Sequence, residues 1–206
     1  MKYLPIWFVL FAVMVSPLRA EEDSIVFDEK FKEKLQDGWY WIREVPDQHV
    51  FRNDAMEIKM EPNPSEGIRN ILVRKVPKKE DGPFVIQLEV DSEMPFADQY
   101  QQVGLYWLNG DELRFKFVKE FIDGELYVFP GKKPLKTQRV TLRLLVDGNN
   151  VIGFCKPHGT EKFEKVYEAA LPDRNEEDRI SIQCWQGPQD GKFWTRLIRF
   201  QILRPE

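Results

Sequence analysis

Few residues of this chain have the type and spacing for chemistry. The two histidines, His49 and His158, stand far apart, and His158 sits in the turn Pro157-His158-Gly159. Neither has a second strong ligand at a metal-binding spacing, so no structural zinc site or His-based triad is expected. No Gly-rich phosphate loop and no G-x-S-x-G elbow occurs, which argues against nucleotide chemistry and the common serine-hydrolase layout. No cofactor is expected. Carboxylate pairs are the remaining catalytic option, because sandwich glycosidases place two of them across the scissile bond. Glu120 and Glu125 are five apart across an Asp123-Gly124 turn, which does not put them on one strand face. Glu89, Asp91 and Glu93 have even spacing, but Met94-Pro95 follows and reads as a strand end. Both clusters read as solvated edges.

The aromatics carry more. Trp39 and Trp41 share one face of a short strand, as do Gln183 and Trp185. Trp and Tyr faces stack on sugar rings while polar neighbours fix the hydroxyls. The competing role for any Trp in a β-rich chain is core packing.

These residues need strands to position them. Val140, Leu142, Leu144 and Val146 alternate with Thr141, Arg143 and Leu145, and Leu113, Phe115 and Phe117 with Arg114, Lys116 and Val118. Period-two patterning of this kind predicts half-buried strands. Further strands are predicted at residues 55–60, 71–76, 84–90, 102–108, 126–129, 151–155, 180–185 and 193–203. Asn109-Gly110, Asp123-Gly124 and Asp147-Gly148 lie between apolar runs and suit tight hairpin turns. About a dozen short strands with such turns predict an all-β antiparallel sandwich or barrel. Two segments resist. Phe31 and Leu35 in residues 29–36 suit a single helical turn, and Phe163, Val166, Tyr167 and Ala170 have helical spacing that competes with a strand.

Strand parity then proposes a face. With Val103 and Leu105 inward, Gln102, Gly104 and Tyr106 point outward. With Leu113, Phe115 and Phe117 inward, Glu112, Arg114 and Lys116 point outward. The same argument sends Thr141, Arg143, Ser181, Gln183 and Trp185 outward. A face rich in Gln, Arg, Lys, Tyr and Trp suits hydroxyl-rich or anionic ligands.

The first twenty residues differ from the rest. Lys2 precedes an apolar run over Leu4–Val15, and Ser16 to Ala20 break it ahead of Glu21-Glu22-Asp23. This is the layout of a secretory signal peptide cleaved after Ala20, with a run too short to span a bilayer. One domain over 21–206 and a secreted or periplasmic product, free of the membrane after cleavage, are the expectation. An acidic chain of net charge −4 is a poor nucleic-acid binder. Fifteen Phe, six Tyr and six Trp suffice for a sizeable core. Cys155 and Cys184 leave two readings open in an oxidising compartment, a disulfide or two buried thiols.

Several segments together resemble a known family. Phe27-Asp28 and Asp37-Gly38-Trp39-Tyr40-Trp41-Ile42-Arg43-Glu44 resemble the opening of the concanavalin A-like accessory domains attached to β-xylosidases and of related stand-alone bacterial domains of unknown function. Gln102-Val103-Gly104-Leu105-Tyr106-Trp107, Thr141-Leu142-Arg143-Leu144, Gly153-Phe154-Cys155 and Arg199-Phe200-Gln201-Ile202-Leu203 follow in the family's order. The turn at Lys156–Thr160 departs from the family's usual Ser-x-Asp-Gly. The resemblance implies a jelly roll of two curved antiparallel sheets whose concave face often holds sugar. On that footing Tyr106, Arg114, Lys116, Arg143, Gln183 and Trp185 are the expected saccharide-binding residues, and a saccharide or polysaccharide the expected partner. Two alternatives stand beside binding. One is a polysaccharide lyase or glycosidase on the same fold, using Tyr106, Arg114 or Glu120; the other is a structural or protein-interaction module.

Overall fold

The computed structural model describes residues 23–62 and 67–205. The signal-like segment 1–20 and the boundary after Ala20 lie outside the described residues. Among the described residues fifteen strands carry the fold: β1 (Ser24–Glu29), β2 (Trp39–Ile42), β3 (His49–Arg52), β4 (Ala55–Lys59), β5 (Ile71–Lys75), β6 (Phe84–Ser92), β7 (Gln102–Asn109), β8 (Glu112–Ile122), β9 (Glu125–Phe129), β10 (Lys133–Pro134), β11 (Val140–Asp147), β12 (Asn150–Pro157), β13 (Glu164–Ala170), β14 (Asp178–Trp185) and β15 (Trp194–Arg204). They form two antiparallel sheets. The first runs β13-β12-β11-β6-β15-β4-β3, with β1 also on β15, and the second runs β10-β9-β8-β7-β14-β5-β2.

Alternation decides which residues meet between the sheets. Val140, Leu142, Leu144 and Val146 of β11 are fully buried, as are Ile86, Leu88 and Val90 of the paired β6. They join Val103, Leu105, Trp107, Phe117, Ile180 and Ile182 of the second sheet in one core. Trp39 and Trp41 lean on that core from β2. Trp39 packs edge-on to Phe200 and Trp41 stacks on His49, so both follow the core-packing reading.

The turns differ in detail from their sequence signatures. Asp123 (φ 54°) and Gly124 (φ 85°) are the two connecting residues of the β8–β9 hairpin, as a primed turn requires. In the other two hairpins the glycine comes first, with Gly110-Asp111 and Gly148-Asn149 as the connecting residues. Asn109 and Asp147 belong to the strands.

One expectation is corrected and one open alternative is decided. Residues 29–36 form no helical turn: Glu29 carboxylate oxygens accept the Phe31 N–H at 2.9 Å and the Gln36 N–H at 2.8 Å, folding the segment as a loop around a buried Phe31. Residues 164–170 are strand β13, whose irregular pairing at Gly153/Phe154 of β12 disguises the two-residue period. The cysteines are free thiols, Cys155 on β12 in the first sheet and Cys184 on β14 in the second. Burial pushes the Cys155 thiol up to about 11 and the Cys184 thiol well above its usual range.

Candidate functional site

Three neighbouring strands of the second sheet, β14, β7 and β8, build the candidate site on the face turned away from the core. Their register lines up three rows: Trp185, Gln102 and Glu120; Gln183, Gly104 and Val118; Ser181, Tyr106 and Lys116. Tyr106, Lys116, Gln183 and Trp185 are thereby brought together. Gly104 makes the approach possible. A Cβ there would lie 2.5 Å from the Phe117 carbonyl oxygen and 2.7 Å from the Val118 Cα.

Hydrogen bonds fix the polar part. Tyr106 Oη and Lys116 Nζ both donate to Gln102 Oε1 at 2.9 Å. Gln102 Nε2 donates to Glu120 Oε1 and to the Tyr100 carbonyl, each at 3.1 Å, so its amide is saturated and acts as the organiser. Lys116 also reaches Glu120 at 3.2 Å and lies over the Phe129 ring, 4.8 Å from its centroid. Two of its three ammonium protons are thus engaged, leaving one for a further acceptor. Gln183 Nε2 donates to Ser181 Oγ at 2.8 Å, and among the described residues nothing donates to Gln183 Oε1. Tyr106 is fully enclosed. Burial, with lesser contributions from Cys184 and Glu120, raises its phenol well above the usual range, so it stays a hydroxyl donor.

Trp185 divides two clefts on this face. One, of about 620 Å³, is lined by Gln102, Lys116, Glu120, Asp123, Lys132 and Trp185 among others. The other, of about 570 Å³, is walled by Ile42, Ile68, Ile71, Leu108, Leu113 and Trp185, with Gln183 in the lining and Arg43 and Asp111 as its charges. The indole N–H is buried without an acceptor, so the ring offers the clefts its apolar surface.

Two predicted site residues stand elsewhere. Arg143 lies on β11 of the first sheet, where it pairs with Asp23 at 2.5 Å and covers the Phe163 ring. Parity gave its outward direction but not its sheet. Arg114 sits in a bulge of β8, between Leu113 opposite Leu108 and Phe115 opposite Trp107, and pairs with Glu112 at 2.5 Å. The bulge reverses the alternation, so Leu113, expected inward, is half exposed and lines a cleft. Sequence reasoning placed Gln102 outward but passed over its role; its four-residue spacing from Tyr106 was the available signal. Among the described residues no group of three or more His, Cys, Asp or Glu could hold a metal ion.

No protein-family model and no curated protein sequence matches this chain. Solved structures do match. Bacteroides ovatus xyloglucan PUL GH43B superposes with a TM-score of 0.67 at 13% identity over 90% of this chain and 40% of its own. The GH43 protein BlXynB of Bacillus licheniformis gives 0.67 at 11% identity, over 85% and 39%. The fold is a concanavalin A-like jelly roll. This chain therefore spans about two fifths of each of those enzymes' lengths. The CBM2 module of the evolved Dit of Lactobacillus casei BL23 phage J-1 matches nearly end to end, over 91% of this chain and 99% of that one, with a TM-score of 0.58 at 7% identity. At such identities the likeness concerns architecture alone.

Proposed function

We propose that this jelly roll is an exported carbohydrate-binding domain that takes an uncharged saccharide against Trp185 on the outward face of the second sheet. The observation that carries the reading is the pairing of an apolar ring surface with a pre-organised polar cluster on one cleft. Such a site stacks a pyranose or furanose ring and hydrogen-bonds its hydroxyls. The GH43 architecture of the solved neighbours supports the carbohydrate association. The signal-like segment at residues 1–20 supports export. Charge balance supports neutrality: Glu120 and Asp123 offset Lys116 and Lys132, so the cleft holds no net positive charge to attract a uronate.

A lyase is disfavoured by the state of its best base. The Tyr106 phenol donates to Gln102 and is held protonated by burial, where proton abstraction would require the opposite shift. The test is a glycan-array screen of the purified protein, followed by tryptophan-fluorescence titration of the hits. Neutral glycans bind, and Trp185→Ala loses roughly tenfold or more in affinity while keeping its circular dichroism and melting behaviour. No binding to any neutral or acidic glycan by the folded parent sinks the reading. Binding that survives Trp185→Ala moves the site off this face.

A further inference from the structure

We infer that the natural ligand is a glycoconjugate: its sugar occupies the polar cleft and an uncharged apolar substituent, such as an aryl or branched acyl group, occupies the apolar cleft across Trp185. The inference rests on the saccharide reading above and extends it. Trp185 is a wall of both clefts, so one ligand lying over its ring edge reaches both. The two clefts differ in what they accept. In the first, the saturated Gln102 amide holds Lys116, with one free ammonium proton, beside the Glu120 carboxylate, a donor and an acceptor side by side. The second is walled mainly by the aliphatic side chains of Ile42, Ile68, Ile71, Leu108 and Leu113, with Arg43, Asp111 and Gln183 as its polar groups. A second sugar unit there would leave the hydroxyls that face this aliphatic wall without partners, at about 1–3 kcal/mol each. At about 570 Å³ the apolar cleft is of the size that takes small-molecule groups.

The β8 bulge points the same way. An unbroken alternation would turn Arg114 onto this face and Leu113 into the core. The register shift between Trp107 and Leu108 instead places Leu113 opposite Leu108 on the cleft wall and leaves the Arg114 guanidinium on Glu112. Bulges re-aim side chains next to binding sites, and this one exchanges a cation for a leucine that stays half exposed. Ile68, Ile71 and Val73, with Ile42 and Trp185 against them, form an apolar cluster separate from the main core on the same face. Gln183, two residues from Trp185 on the same face of β14, lines this cleft, and its amide oxygen meets no donor among the described residues, so it can receive a sugar hydroxyl at the junction.

The experiment compares methyl and phenyl glycosides of glucose, galactose, xylose, mannose and arabinose, both anomers, by isothermal titration with the parent, Leu113→Ser and Lys116→Gln. Leu113 is half exposed, so its serine variant is expected to fold, and a melting curve checks it. The expected result is phenyl glycosides binding roughly tenfold tighter than methyl glycosides of the same sugar, about 1.4 kcal/mol. Leu113→Ser removes most of that advantage and leaves methyl-glycoside affinity unchanged, while Lys116→Gln weakens both series alike. Methyl and phenyl glycosides binding equally, or an advantage that survives Leu113→Ser, overturns the glycoconjugate inference and leaves the saccharide reading standing. Phenol binding as tightly as every phenyl glycoside overturns it too. No binding by any glycoside removes both readings together.

Discussion

The outward faces of the two sheets obey the same alternation yet have opposite characters. On the first sheet the outward side chains are tied to one another: Arg139 to Glu89 and Arg199 to Asp28, each at 2.7 Å, with Arg143 on Asp23 and both Arg52 and Arg196 turned to the buried Glu57. On the second sheet the outward rows are mostly uncharged and recessed, with Tyr106, Ser181 and Gln183 buried despite facing away from the core. A face whose charges are paired with one another leaves little for a ligand, and here even Glu57 Oε1 and Arg196 Nε, which lack a hydrogen bond, face each other at 3.6 Å. A face that buries polar groups beside an apolar ring and a cleft retains unfilled hydrogen-bonding capacity, here the third Lys116 proton and Gln183 Oε1. Outward direction alone therefore does not mark a site; enclosure and partner accounting do.

The largest expected effect tests how far the second face depends on close approach of its strands. Gly104→Ala puts a Cβ against backbone atoms of Phe117 and Val118, which cannot yield as a side-chain tip can. We expect a loss of about 3 kcal/mol in urea unfolding, the upper range for overpacking. Thr141→Ala, an outward position on the first sheet, should cost under about 1 kcal/mol. Equal losses from the two substitutions would remove the distinction between the faces.

Much of this was legible beforehand, for identifiable reasons. Strands such as β7, β11 and β14 announce themselves because one side meets a continuous core, so their apolar residues recur at every second position. Four of the six proposed site residues, Tyr106, Lys116, Gln183 and Trp185, do share a face. Arg143 was misplaced because alternation fixes a side of a strand and says nothing about which sheet the strand joins. Arg114 and Leu113 were exchanged because a bulge is set by pairing with β7, a long-range fact invisible in β8 itself. The alternation of Phe115 and Phe117 assigns Lys119 inward, but its charge masks that position in the sequence.

That lysine sharpens the comparison with a charge lying between the faces. Glu57 on the first sheet is buried beside two guanidinium groups. Lys119 is equally buried, but its hydrogen-bond acceptors are neutral: the Gln138 carbonyl at 2.8 Å, Ser92 Oγ at 3.3 Å and Gln138 Oε1 at 3.4 Å, with the Phe96 ring 4.0 Å away. Burial pushes its pKa down to about 7, against weaker opposing pulls from Asp91 and Cys184. The unfolded chain keeps this proton up to roughly pH 10.4, so above pH 7 the unfolded state binds more protons and stability rises with pH. The cost of the buried cation is present in full below pH 7 and is relieved as pH climbs. Between pH 7 and 9 the parent should gain about 2 kcal/mol relative to Lys119→Met in parallel urea titrations. Parallel pH profiles for the two proteins would show that Lys119 is solvated.

The smallest effect concerns the ion-pair ladder of the first sheet. Arg199 grips Asp28 through two hydrogen bonds, at 2.7 and 2.9 Å, and these hold the Asp28 carboxyl below the usual carboxylate range. A lowered carboxylate pKa contributes stability above the unfolded value near 3.9 and loses it as pH falls through the folded one. The pair is partly exposed, so solvent screening limits the contribution at pH 7 to under about 1 kcal/mol. Asp28→Asn should therefore shift urea unfolding only slightly at pH 7, less in 1 M salt, and hardly at all near pH 2. Such an outcome assigns the ladder to keeping its own charges satisfied rather than to holding the sandwich together. A loss of several kcal/mol at pH 7 that persists in high salt would instead make this face a structural determinant equal to the crowded rows around Gly104, and the contrast between the two sheets would fail at its energetic root.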